Sequence, residues 1–76
     1  MTTSLDLKGL KCPLPVLRAK KALKGMEPGA VLEVLATDPG SVKDFNAFCE
    51  TTGDEMVSWS EAGGVYSYTL RKKPKN

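Results

Sequence analysis

Cys12 is the residue of this chain best placed to do chemistry. It stands in the run Lys11-Cys12-Pro13-Leu14-Pro15, directly ahead of a segment with helical spacing. A cysteine reacts as its thiolate, and the positive end of a helix dipole, together with nearby cations, favours that anion. If Cys12 is the N-cap, Pro13 and Pro15 fall at the first and third helical positions, where a missing N–H costs little. The prolines then stiffen the backbone around the sulfur and leave the N–H groups of Leu14 and Val16 to face it. Lys11, Arg18 and Lys20 add positive charge if they lie close. The plainer alternative is a rigid turn with a buried thiol, and spacing alone leaves both readings open.

The second thiol, Cys49, reads differently. It lies near the middle of the apolar arc Val42, Phe45, Phe48 and Cys49 of a second helical segment, which makes it a core cysteine, and buried thiols are inert. The chain has no histidine and no CxxC pair. Cys-His and Ser-His catalysis within the chain are therefore excluded, as are His-containing zinc sites. Two cysteines alone make a weak metal site.

A length of 76 residues allows one small domain, taken as residues 1–76 and expected to be ordered over about 4–72. The start, MTTSLDLKGL, lacks the basic and apolar regions of a signal peptide, and the apolar run AVLEVLA is too short to span a bilayer. A cytoplasmic location with reduced thiols and no membrane association is expected. Charge is uneven. Arg71, Lys72, Lys73 and Lys75 crowd the C-terminus, leaving seven cations against nine anions elsewhere. Without interleaved aromatic residues the tail, 73–76, reads as a flexible solvated end, and direct nucleic-acid binding is not expected.

The elements that position Cys12 follow from periodicity and punctuation. Leu5–Leu10 alternates at first and slips parity at Gly9, the mark of a short strand ending in a bend. Pro13–Met26 is helical. Val31–Thr37 is a β-branched and leucine run, a central strand. After Asp38-Pro39-Gly40, Ser41 and Asp44 give the S-x-x-D signature of a helix start, and Gly53 suits its C′ position. Glu55–Glu61 and Val65–Arg71 flank Ala62-Gly63-Gly64 as a hairpin. The order β-α-β-α-β-β predicts an α/β (α+β) two-layer sandwich: a four-stranded mixed sheet with both helices on one face. Tyr66, Tyr68 and Leu70 share one strand face and read as core. Which residues of the last two strands point at the helices is open.

On a helical wheel Val16, Ala19, Ala22, Leu23 and Met26 form a buried stripe. Arg18, Lys20, Lys21 and Lys24 occupy the other side, with Leu17 among them. A leucine ringed by cations suits a docking face for a partner protein, although single exposed leucines are common. Asp38, at the end of the central strand, is either a turn residue or a carboxylate presented beside the basic helix.

The stretch LDLKGLKCPLPVLRAKKAL, the block ATDPGSVKDFNAFCETTG and the element order closely resemble the TusA/SirA family of small sulfur carriers, over about Leu5–Lys72. The C-P-x-P run is that family's hallmark. The resemblance implies that Cys12 accepts sulfane sulfur as a persulfide from a cysteine desulfurase or a rhodanese-like donor. It then passes the sulfur to a TusD- or DsrE-type acceptor, in tRNA 2-thiouridine synthesis or in sulfur oxidation. It also implies that Lys20, Lys24 and Asp38 contact the donor. Many relatives carry Gly-His-Glu after the second helix; this chain has Gly53-Asp54-Glu55. The carrier is expected to work as a monomer without metal, nucleotide or flavin. The competing readings are a thiol redox or regulatory protein, and a binding module in which Cys12 is incidental.

Overall fold

The structure, a computed structural model, describes residues 2–11 and 14–73. The elements are β1 (Thr2–Asp6), α1 (Leu14–Lys24), β2 (Val31–Ala36), α2 (Ser41–Thr52), β3 (Glu55–Ala62) and β4 (Val65–Arg71). They form one four-stranded mixed sheet in the order β1-β2-β4-β3, with β1 parallel to β2 and β4 antiparallel to both of its neighbours. The expected sandwich is what the chain adopts. The first strand differs from its sequence reading. Pairing starts at Thr2, opposite Val31, and the segment expected to be strand as far as Leu10 turns away after Asp6. Gly9 has φ +87°, a left-handed conformation that glycine tolerates and other residues resist.

Alternation decides what faces the helices. In β2, Leu32, Val34 and Ala36 are fully buried, and their partners across the register are Leu70, Tyr68 and Tyr66. These side chains share a core with Ala19 and Leu23 of α1 and Phe45, Phe48 and Cys49 of α2. The opposite sheet face is polar. There Ser4 donates to Glu33 Oε1 at 3.5 Å, and Arg71 meets Glu55 Oε1 at 3.4 Å.

A bulge resolves the ambiguity of β3. Met56 pairs with Leu70 and Ser58 with Thr69, so Val57 is an extra residue. The phase of the strand reverses there. Met56 packs on the core, and Trp59, on the same face after the reversal, stacks on Tyr68 with ring centroids 6.2 Å apart. Phe45 covers the other flank of Tyr68 at 4.6 Å.

The helix ends show two departures from expectation. Ser41 does not cap α2: the N-cap is Gly40, with no side-chain cap bond. The Ser41 hydroxyl instead lies 2.6 Å from that of Tyr68, inside the core. A buried phenol needs a partner, and that need outweighs a cap bond that water can replace. Gly53 behaves as expected, with φ 82° and its N–H donated to Cys49 O at 2.9 Å. At the far end of α1, Lys72 Nζ donates to Leu23 O at 2.6 Å, which satisfies a terminal carbonyl. Among the described residues no helix is long and apolar enough to cross a membrane.

Candidate functional site

The candidate site begins with the segment Leu7–Lys11, which carries the chain from β1 toward α1. Leu7 N–H donates to Leu35 O at 2.8 Å, extending the β1–β2 pairing by one bond. Leu7 is buried, and Leu10 packs against the core. Leu10 N–H returns to Leu7 O at 3.2 Å, and Gly9 N–H donates to Thr37 Oγ1 at 2.9 Å. Lys8 folds onto Asp6, with N–H to Oδ1 at 3.1 Å and Nζ to Oδ2 at 3.7 Å. The segment is thus tied to itself and to the C-terminal end of β2.

Cys12 and Pro13 lie outside the described residues, and so do their expected cap and first-turn positions. Their neighbours are informative. Leu14 N–H donates to Lys11 O at 2.8 Å. That donor is engaged in a turn that closes over the entry to α1. Pro15, the second residue of α1, is buried. Besides lacking an N–H where none is needed, it fills a place in the core that the helical wheel had not given it. The fully buried line of α1 is Pro15, Ala19 and Leu23, while Val16, Ala22 and Met26 are partly buried beside it.

The outer side of α1 carries the expected basic residues. Arg18, Lys20, Lys21 and Lys24 are exposed. Leu17 is 52% exposed and Leu14 is 44% exposed. Of these, Leu17 and Lys20 are brought together with α2 in an open groove of about 330 Å³, lined also by Val16, Asp44, Ala47, Phe48, Thr51 and Thr52. Arg18, Lys21 and Lys24 do not line it. Sequence reading missed the α2 half of this groove, because each helix was read on its own wheel and the pairing of two helix faces leaves no spacing signal.

Asp38 is half-buried at the start of the turn into α2, where its carbonyl accepts from Ser41 N–H at 3.0 Å. Its charge is felt at Tyr68. Burial pushes the Tyr68 phenol up, its bond to Ser41 opposes this, and the charges of Tyr66, Asp38 and Asp44 add to the rise. The thiol of Cys49 is buried, and desolvation, then the nearby charge of Asp54, pushes its pKa up. It is a poor nucleophile there, in line with its reading as core. Asp54 has its own role. Its Oδ1 accepts from Lys73 N–H at 2.8 Å and its Oδ2 from the Thr52 hydroxyl at 2.9 Å. The basic tail is held at Lys73 in this way; residues 74–76 lie outside the described part.

Against this geometry, the comparisons with known proteins agree. The family described as sulfurtransferase TusA matches residues 3–72. The chain belongs to the TusA family. A sulfur carrier protein TusA from Allochromatium vinosum is 56% identical over 68 residues, covering 90% of both chains. A putative sulfur carrier protein of Neisseria meningitidis serogroup A is 54% identical over 70 residues, 92% of this chain and 95% of that one. The crystal structure of a SirA-like protein from Desulfitobacterium hafniense superimposes with a TM-score of 0.80 at 32% identity, covering 96% of this chain and 99% of the other. In this TusA-family chain, the match runs through the Leu7–Lys11 segment, α1 and the Thr37–Ser41 turn alike.

Proposed function

We propose that this chain is a sulfur carrier that bears sulfane sulfur as a persulfide on Cys12 and works between two protein partners. In loading, the Cys12 thiolate attacks the terminal sulfur of a donor persulfide. A bond forms between Cys12 Sγ and that sulfur, the donor's own sulfur–sulfur bond breaks, and the donor cysteine leaves as a thiolate. Delivery repeats the exchange, with an acceptor cysteine as the attacking group. No net oxidant is required and one cysteine suffices, which suits a chain whose other thiol is sealed in the core.

The observation that carries this reading is the coincidence of the C-P-x-P run with a helix start whose outer side is basic and apolar, in a chain matched to the TusA family over 3–72. The cations of α1 favour a partner with an acidic surface and speed the encounter. The groove between Leu17, Lys20 and Phe48 offers a seat for one apolar side chain of that partner. The donor is a cysteine desulfurase or a rhodanese-like protein, and the acceptor a cysteine-bearing protein of the TusD or DsrE kind. The reduced thiols that this chemistry requires favour a cytoplasmic setting.

The test is incubation with a cysteine desulfurase and cysteine, followed by peptide mass analysis. Gain of one sulfur atom on the Cys12 peptide, lost in Cys12→Ser, is the expected outcome. A Cys12–Cys49 disulfide with no such gain overturns the reading in favour of a redox protein.

A further inference from the structure

We propose that Thr37 is a positioning residue for sulfur transfer, acting through the N–H of Gly9 on the segment that leads into Cys12. The inference rests on the carrier reading of Cys12. Leu7–Lys11 is irregular backbone between a strand and a helix, and such segments hold one shape only where their polar groups are fixed. Its first residue is fixed by the sheet, through Leu7 N–H and Leu35 O at 2.8 Å, and its last by the turn from Lys11 O to Leu14 N–H at 2.8 Å. Between them the chain reverses at Gly9, at φ +87°. There the hydroxyl of Thr37, half-buried one residue beyond β2, accepts the Gly9 N–H at 2.9 Å.

Cys12 follows Gly9 by three residues, and Thr37 precedes the Asp38-Pro39 turn into α2. One hydroxyl therefore joins the two loops at the same end of the parallel β1–β2 pair, the end where α/β folds place their sites. Thr37 touches no reacting atom in this scheme. Its hydroxyl sets the path by which the chain enters α1, and so how closely a thiol at Cys12 meets the positive end of that helix. Because the Gly9 N–H is exposed to water, losing the bond costs the fold little.

The test pairs Thr37→Val, which keeps shape and loses the acceptor, with Thr37→Ser, which restores it. The readouts are the rate of Cys12 alkylation by iodoacetamide against pH, followed on the Cys12 peptide, and persulfide loading from a desulfurase. Thr37→Val is expected to move the alkylation midpoint upward and slow the neutral-pH rate about threefold, the factor given by half a pKa unit. Loading slows with it, and Thr37→Ser returns both to within about twofold of wild type. Unchanged alkylation and loading in a folded Thr37→Val protein, or a serine variant as slow as the valine one, overturns the proposal. If Thr37→Val does not fold, Thr37→Ala, which also lacks the acceptor oxygen, is read the same way. Alkylation needs no donor. A wild type that alkylates normally yet never gains sulfur defeats the carrier reading and leaves the Thr37 result standing. Intact loading in a Thr37→Val protein with unchanged alkylation defeats only the positioning role.

Discussion

The two helices are nearly equal in length, eleven residues in α1 and twelve in α2, and they share one core. Their outer surfaces have opposite designs. α1 displays Leu17 and four cations, and buries only Pro15, Ala19 and Leu23 fully. α2 turns both phenylalanines, its cysteine and even its first serine inward. α1 turns apolar and basic side chains outward, and α2 carries the larger buried ones. The difference teaches how a chain of 76 residues can spare apolar side chains for its surface. α2 supplies the bulky buried rings of Phe45 and Phe48 beside β2 and β4, while α1 fills its share of the core with the smaller Pro15, Ala19 and Leu23.

The largest effect expected from breaking that contrast is at the two thiols. Cys12→Ser should abolish persulfide loading, whereas Cys49→Ser should leave loading within about twofold and alter mainly the urea midpoint. Next comes a pair of truncations. Phe45→Ala should cost about 3–5 kcal/mol in urea denaturation, enough to unfold much of the population of a domain this small. Leu17→Ala should change stability by no more than about 0.5 kcal/mol while weakening loading. Equal costs at the two positions would erase the division between the helices. Charge reversal at Lys20 and Lys24 together should slow loading about tenfold at low salt, with the deficit shrinking as salt is added. A deficit insensitive to salt would remove steering by α1.

The smallest effect is alkaline. Both Cys49 and Tyr68 hold their protons more tightly when folded. Their contribution to stability is full below the ordinary values, 9.0 for the thiol and 10.0 for the phenol, and fades as pH climbs through the raised folded ones. The urea midpoint should therefore fall once pH passes the lower value, and Cys49→Ala should flatten the first part of that fall.

Much of this was legible in the chain itself. The β-branched run of β2 and the spacing of Phe45, Phe48 and Cys49 are strong periodic signals, and the double glycine marked the hairpin. Gly53 announced its helix end because only a left-handed residue fits there. Other features were not legible, for physical reasons. Ser41 has the form of a cap, but its bond to Tyr68 depends on a strand 27 residues away. Pro15 looked like a backbone device, and its burial depends on what α1 lies against. The role of Thr37 at Gly9 depends on two strands being parallel neighbours. Patterns along a sequence encode an element's face, and these three depend on what that face meets.

The extra residue at Val57 carries a last consequence. Every residue from Val57 to Ala62 is solvent-exposed, so individual replacements along that margin should be well tolerated. The extra residue is itself dispensable to the pairing. Removing Val57 would leave Met56, Ser58 and Trp59 in plain alternation, with Ser58 still opposite Thr69 and Trp59 still opposite Tyr68. Along this edge the molecule is permissive of spelling and, at this one place, of length.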